Sequence, residues 1–174
     1  GEALQRPIRT LDIPVVIMAG GKGTRLDPFT KILPKPLIPI GDKTVIEIII
    51  DSFLKYGVNQ FFISVNYKSK IIKSFFEELA PSYTVEFIEE DMPLGTAGSL
   101  ALLRDRISSN FLLTNCDIII TADYPDLIEF HLKNQHEITV VASMKHYRIP
   151  YGVCNIENGG KLKVINEKPD YNFL

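Results

Sequence analysis

The sequence predicts an α/β chain built on a mostly parallel, doubly wound sheet. Strand-like apolar runs alternate with amphipathic helical stretches through most of the 174 residues, the ordering that parallel crossovers require. Three loops of unusual composition each follow a predicted strand: a glycine loop after Met18, the segment Glu90–Thr96, and Asn115-Cys116-Asp117. Sheets of this kind bind ligands beyond the carboxyl ends of their strands, so these loops are expected to share one edge.

The elements follow in order. The first dozen residues read as a linker or edge, and a single domain is expected over residues 13–174. Ile13 to Met18 is a short apolar strand. A turn at Gly41-Asp42 leads to a helix in which Thr44 and Glu47 have capping-box spacing and Gly57 is placed as a stop. Ile46, Ile49, Ile50, Phe53 and Leu54 supply its apolar face. Phe61 to Val65 is a buried strand, and Ile71, Ile72, Phe75, Phe76 and Leu79 form the stripe of a packed helix. A strand over Tyr83–Ile88 precedes a helix from about Thr96 to Leu103, and Phe111 to Thr114 is a strand ending in polar residues. A helix over about Pro125–Asn134 and strands near Ile138–Met144, Val153–Glu157 and Leu162–Asn166 complete the pattern. The last residues, Asn166 to Leu174, break off without a closing element, so the chain reads as an excised piece of something longer.

Composition narrows the function. The apolar content of 45% supports a sizeable core, and a net charge of −2 argues against bulk binding to nucleic acid or anionic membrane. Cys116 and Cys154 have no metal spacing and build no disulfide framework, which fits a reducing cytoplasm. No apolar run approaches the roughly 20 residues of a membrane span. His131, His136 and His146 have no ligand spacing.

The informative stretch is V-V-I-M-A-G-G-K-G-T-R-L-D-P-F-T-K-I-L-P-K-P-L-I-P-I, residues 15–40. Gly20, Gly21 and Gly23 allow close backbone approach to a ligand, and successive loop N–H groups can cradle an anion. Arg25 adds positive charge, and Lys35 sits between Pro34 and Pro36 on stiffened backbone. A bland glycine turn accounts for the glycines but not for these two cations. The loop lacks the G-x-x-x-x-G-K-[ST] of a P-loop, and Leu26 stands where a dinucleotide fingerprint needs its third glycine. A nucleoside triphosphate site is the expectation.

With A-G-G-K-G-T-R-L-D-P-F-T, L-P-K-P-L-I-P-I-G-D-K, P-L-G-T-A-G-S-L (93–100), N-C-D (115–117), Y-G-V (151–153) and N-E-K-P (166–169) in this order, the chain resembles the sugar-1-phosphate nucleotidyltransferases. Within them it is most similar to mannose-1-phosphate guanylyltransferase-like proteins, some of which carry a fused regulatory module and serve cell-surface polysaccharide pathways. The resemblance implies a Rossmann-like nucleotidyltransferase fold, with a nucleoside triphosphate and a hexose-1-phosphate as partners and Mg2+ as cofactor. Arg25 would hold the departing phosphates through its forked guanidinium, and Lys35 would act as a point charge at the reacting ones. Asp117 would carry the metal, with Cys116 replacing the glycine that commonly precedes it. Ala19, Gly20, Gly21, Gly23 and Thr24 would bind phosphate and ribose, with Glu90, Gly95 and Thr96 on the base side.

Glu90 stands where relatives using uridine or thymidine nucleotides commonly have Gln. A carboxylate only accepts hydrogen bonds and suits the adjacent N1–H and N2–H of guanine, which favours GTP. The competing reading of Glu86, Glu89, Glu90 and Asp91 is a solvated acidic loop. Gly152, Glu167 and Lys168 would hold the sugar and its phosphate. Without its motif company, Asp117 reads as a turn aspartate and E-K-P as a charged strand end. The family places a second metal-ligating aspartate well after E-K-P, so the resemblance implies that these 174 residues alone turn over little. A non-catalytic nucleotide-sugar sensor on the same fold is the alternative from another class. A cytidylyltransferase would share the glycine loop but leave Y-G-V and E-K-P without a role.

Overall fold

The computed structural model describes residues 9–92, 94–95 and 97–173. It falls into two compact units, one reaching Phe130 and the other beginning at His131.

The first unit is organised on four parallel strands: β1 (Val15–Met18), β4 (Gln60–Val65), β5 (Thr84–Glu89) and β6 (Leu112–Asn115). Between β1 and β4 lies a small hairpin of β2 (Pro39–Ile40) and β3 (Lys43–Thr44). The main sheet runs β5-β4-β1-β6. The first two crossovers step to one side of β1, and the third returns to its other side. This reversal opens a crevice at the carboxyl ends of β1 and β6. Met18 is in register with both Ser64 and Asn115, so three strands end together there.

Alternation along β1 divides the core. Val15 and Ile17 pack with α1 (Val45–Leu54), α2 (Ser69–Leu79) and α3 (Tyr124–Lys133) on one face. Val16 and Met18 pack with Phe62, Ile88 and Leu103 on the other, beneath a 3-10 helix over Gly98–Leu103. Burying each Val, Ile or Phe side chain stabilises the fold by about 1.5–3 kcal/mol, so this double-sided core holds β1 and the loop that leaves it. The capping box at α1 is present, with Glu47 N–H donating to Thr44 Oγ1 and Thr44 N–H to Glu47 Oε2.

The second unit contains two antiparallel pairs, β7 (Lys145–Arg148) with β10 (Asp170–Phe173), and β8 (Val153–Ile156) with β9 (Leu162–Asn166).

Three expectations shift. The helix before Arg104 is 3-10 and covers Gly98–Leu103, six residues being too few to repay α-helix nucleation; Thr96, its expected start, lies outside the described residues. Residues 138–144 form no strand, and pairing starts at Lys145, where β10 provides a partner. Ile138 and Val140 are accordingly about 80% exposed. Residues 9–12, read from sequence as an edge, pack on the first unit. Leu11 is buried with its N–H on the Tyr56 carbonyl, and Arg9 pairs with Asp123, Asp126 and Glu129. No helix among the described residues is long and apolar enough to cross a membrane.

Candidate active site

The backbone ladder continues past the strand ends and sets where each loop departs. Ala19 N–H donates to the Ser64 carbonyl, Glu90 N–H to Val65, and Cys116 N–H to Met18. The glycine loop, the Glu90 loop and Asn115-Cys116-Asp117 therefore leave the sheet side by side. They enclose a cleft of about 450 Å³. Gly20, Gly21, Gly23, Thr24, Glu90 and Gly95 line it, and Arg25, Lys35 and Asp117 share it. Thr96 lies outside the described residues, and Ala19 is buried at the loop's base.

Local sequence explains the loop's shape. Gly23 has φ +67°, and a Cβ there would stand 2.9 Å from Thr30 Cγ2 and 3.1 Å from Lys35 Cβ. Only glycine fits both the left-handed backbone and that approach. A 3-10 turn over Thr24–Leu26 then carries Arg25, which forms no ion pair with another described residue. A second turn, Phe29–Lys31, precedes a third, Lys35–Leu37, in which Pro36 stiffens the chain and is buried beside Leu37. Lys35 Nζ forms an ion pair with Asp117 across the cleft. Their side chains are 18% and 34% exposed, so this pair is more shielded than the others of the first unit.

Glu90 is not a solvated acid. It is 8% exposed, whereas Glu89 and Asp91 are exposed beside it. Ser64 Oγ donates to Glu90 Oε1, and Leu94 N–H donates to Oε2 at 3.2 Å. Each carboxylate oxygen keeps acceptor capacity beyond these bonds. Ser64 is itself fully buried; its role was invisible in the sequence, because a serine inside an apolar strand carries no pattern signal.

Cys116 is buried, and burial pushes its thiol up to about 11, helped by the Asp117 charge and opposed by Lys35. A thiol held neutral is a packing residue, not a nucleophile. Among the described residues no three His, Cys, Asp or Glu side chains cluster to hold a metal. Asp117 offers a hard carboxylate oxygen, the donor type that suits Mg2+. One such carboxylate fits an ion whose remaining ligands are water and substrate phosphate. A second, more apolar cleft of about 470 Å³ shares Arg25, Lys35 and Asp117 and is walled by Ile38, Ile40 and Val45.

The second unit, taken by itself, brings its own expected residues together. Val153 is in register with Asn166, which sets the Y-G-V and E-K-P segments at the same end of β8 and β9. A Cβ on Gly152 would lie 3.1 Å from Glu167 Oε2. Lys168 adopts φ +45° and donates its N–H to the Tyr151 carbonyl.

The chain is similar to known proteins in sequence and in fold. The chain is 36% identical over 160 residues to the mannose-1-phosphate guanylyltransferase catalytic subunit beta of Dictyostelium discoideum, covering 88% of this chain and 44% of that one. It is 37% identical over 143 residues to the mannose-1-phosphate guanyltransferase of Schizosaccharomyces pombe, covering 79% and 39%. It spans less than half the length of these relatives. Among solved structures it is similar to HddC from Yersinia pseudotuberculosis complexed with GMP-PN, with a TM-score of 0.57, 29% identity, and coverage of 90% of this chain and 69% of that one. A UDP-glucose pyrophosphorylase complexed with UDP-glucose has the same fold, with a TM-score of 0.61, 19% identity, and coverage of 91% and 70%. The Nucleotidyl transferase family matches residues 14–173, and with nearly its whole length accounted for, the chain belongs to that family.

Proposed function

We propose that the protein containing this chain transfers a nucleoside monophosphate from GTP to a hexose-1-phosphate, releasing pyrophosphate. The observation that carries the reading is the shared cleft of Arg25, Lys35 and Asp117, lined by the glycine loop and by Glu90. A sensor would need the loop but not all three charges.

A phosphate oxygen of the sugar-1-phosphate attacks the α-phosphorus of the triphosphate. The new P–O bond forms as the bond from the α-phosphorus to the bridging oxygen breaks, and pyrophosphate carries away the electron pair. No protein atom becomes covalently attached. The chain contributes alignment of two mutually repelling anions and neutralisation of the charge that builds on their oxygens. Arg25, unpaired among the described residues, is available to fork onto the departing β- and γ-phosphates. Lys35 supplies a point charge at the α-phosphate, and its ion pair with Asp117 opens to release both groups to the substrates. Asp117 would hold Mg2+, which when bound supplies further neutralisation of phosphate charge. Gly20, Gly21, Gly23 and Thr24 offer backbone or hydroxyl donors to phosphate and ribose. Gly152, Glu167 and Lys168 would serve the sugar end: a close backbone approach, an acceptor for hydroxyls, and a cation for the phosphate.

Guanine is supported by Glu90, whose buried carboxylate is oriented by Ser64 and the Leu94 N–H. It would accept from the N1–H and N2–H of the base, whereas uracil would set two carbonyls around its one N3–H. The names of the guanylyltransferase relatives point the same way; mannose-1-phosphate is the first sugar to try.

The test is pyrophosphate release by the full-length protein with GTP, UTP, dTTP, ATP and CTP against several hexose-1-phosphates. GTP with mannose-1-phosphate should give the highest kcat/KM. Lys35→Ala and Asp117→Asn should each lower kcat by about 100-fold or more. Glu90→Gln should reduce the preference for GTP over UTP by about tenfold or more. Nucleotide binding without turnover in the wild-type protein would favour the sensor instead.

A further inference from the structure

The phosphate-side loop is held from behind by a segment that takes no part in the cleft. Asn66, Tyr67 and Lys68 follow β4 and lead into α2. Lys68 adopts φ +55°, uncommon for a residue with a Cβ. Its ammonium reaches the signature stretch. Nζ donates to the Lys31 carbonyl at 2.7 Å and to the Ile32 carbonyl at 2.8 Å. These are charge-assisted bonds to the carboxyl end of the Phe29–Lys31 turn, where unpaired carbonyls favour a cation. The Lys68 ammonium also lies 5.3 Å from the centre of the Tyr67 ring, and Tyr67 OH reaches the Thr30 carbonyl at 3.5 Å.

Thr30 extends the hold to the glycine loop. It is 2% exposed, and its Oγ1 lies 2.6 Å from Asp27 Oδ1 and 3.2 Å from the Gly23 carbonyl oxygen. Its methyl group is the atom against which Gly23 packs. The Phe29–Lys31 turn is thus anchored by Lys68 on one side and grips Gly23 on the other. Arg25 departs just after Gly23, and Lys35 lies a few residues beyond Ile32, past Pro34. On the base side, Asn66 Nδ2 donates to the Glu90 carbonyl, so the same segment also touches the loop proposed to read the base.

We infer that Lys68 and Thr30 are positioning residues, which clamp the Phe29–Lys31 turn and so set where Arg25 and Lys35 stand. Lys68 lines neither cleft, and its effect on turnover runs through the turn. Side chains carried on short 3-10 turns would otherwise sample many positions, and displacement of a reacting charge by about 1 Å can cost on the order of a hundredfold in rate. The kinetic part rests on the proposed transfer reaction; the clamp itself does not.

The test uses the full-length protein in two measurements. In the first, amide hydrogen exchange is followed without nucleotide at Leu26, Lys31 and Ile32, whose N–H groups bond to Gly23, Pro28 and Phe29. Lys68→Met should speed their exchange about tenfold or more while leaving the β4 amides unchanged; equal rates in the two proteins would overturn the clamp. In the second, pyrophosphate release is measured beside the thermal midpoint. Lys68→Met should lower kcat about tenfold with a midpoint within a few degrees of wild type, and Lys68→Arg should restore at least half of the activity. Lys70→Met, at an exposed lysine two residues on, should match wild type. Thr30→Val, which keeps the methyl and removes both hydroxyl contacts, should repeat the kcat loss. A folded Thr30→Val or Lys68→Met protein with kcat within twofold of wild type would overturn the positioning role. Wild-type protein without turnover would refute the transferase reading and leave the exchange result to decide the clamp.

Discussion

Gly23 shows how one residue can be required by two independent causes. Its φ of +67° costs a residue with a Cβ about 1–2 kcal/mol, and Thr30 and Lys35 leave no room for that Cβ. Gly21 has neither constraint, since a Cβ there meets nothing within 4 Å. Gly23→Ala should therefore lower the stability of this chain by about 1–3 kcal/mol in urea unfolding, against about 0.5 kcal/mol or less for Gly21→Ala. Equal losses would show that the loop is looser than its packing implies. Cys116 gives a residue-scale prediction about pH. Its folded thiol titrates near 11 against an ordinary value of 9.0, chiefly through burial. Between those values the unfolded chain has released a proton that the folded chain keeps, so stability must fall as pH rises. The contribution is complete below about pH 9 and is lost towards pH 11. A two-unit difference corresponds to about 2–3 kcal/mol. Cys116→Ala should lose less stability than wild type between pH 8 and 10.5, measured by urea midpoints. At pH 8, a thiol reagent should modify exposed Cys154 quickly and Cys116 only on unfolding.

At the scale of the element, α1 was the most legible. A capping box, an apolar stripe and a glycine stop all indicated the same helix, and it forms over Val45–Leu54 with Ile46, Ile49, Ile50 and Phe53 buried. Thr44→Ala removes the hydroxyl that receives the Glu47 N–H and should cost about 1 kcal/mol, read as a lower denaturation midpoint with an unchanged unfolding slope. The 3-10 turns were not legible. Residues 24–37 mix proline, charged and apolar residues with no period, and their conformation depends on distant partners such as Lys68, which lies more than thirty residues along the chain. The region near residue 140 failed for a related reason. Its β-branched residues have strand propensity, but a strand exists only where another supplies hydrogen bonds; here that begins at Lys145.

For the whole molecule, the strand order turns local motifs into a site. The reversal of direction at β1 puts the ends of β1, β4 and β6 in one register, and three loops far apart in sequence come to line one cleft. The α/β class and the motifs that mark the cleft could be read without coordinates, because apolar period, capping and glycine chemistry are local properties of the chain. Strand order, the burial of Glu90, the Lys35–Asp117 pair and the grip of Lys68 on the Phe29–Lys31 turn could not. Each depends on which distant backbone comes alongside, and side-chain contacts across such distances leave no periodic mark in the sequence.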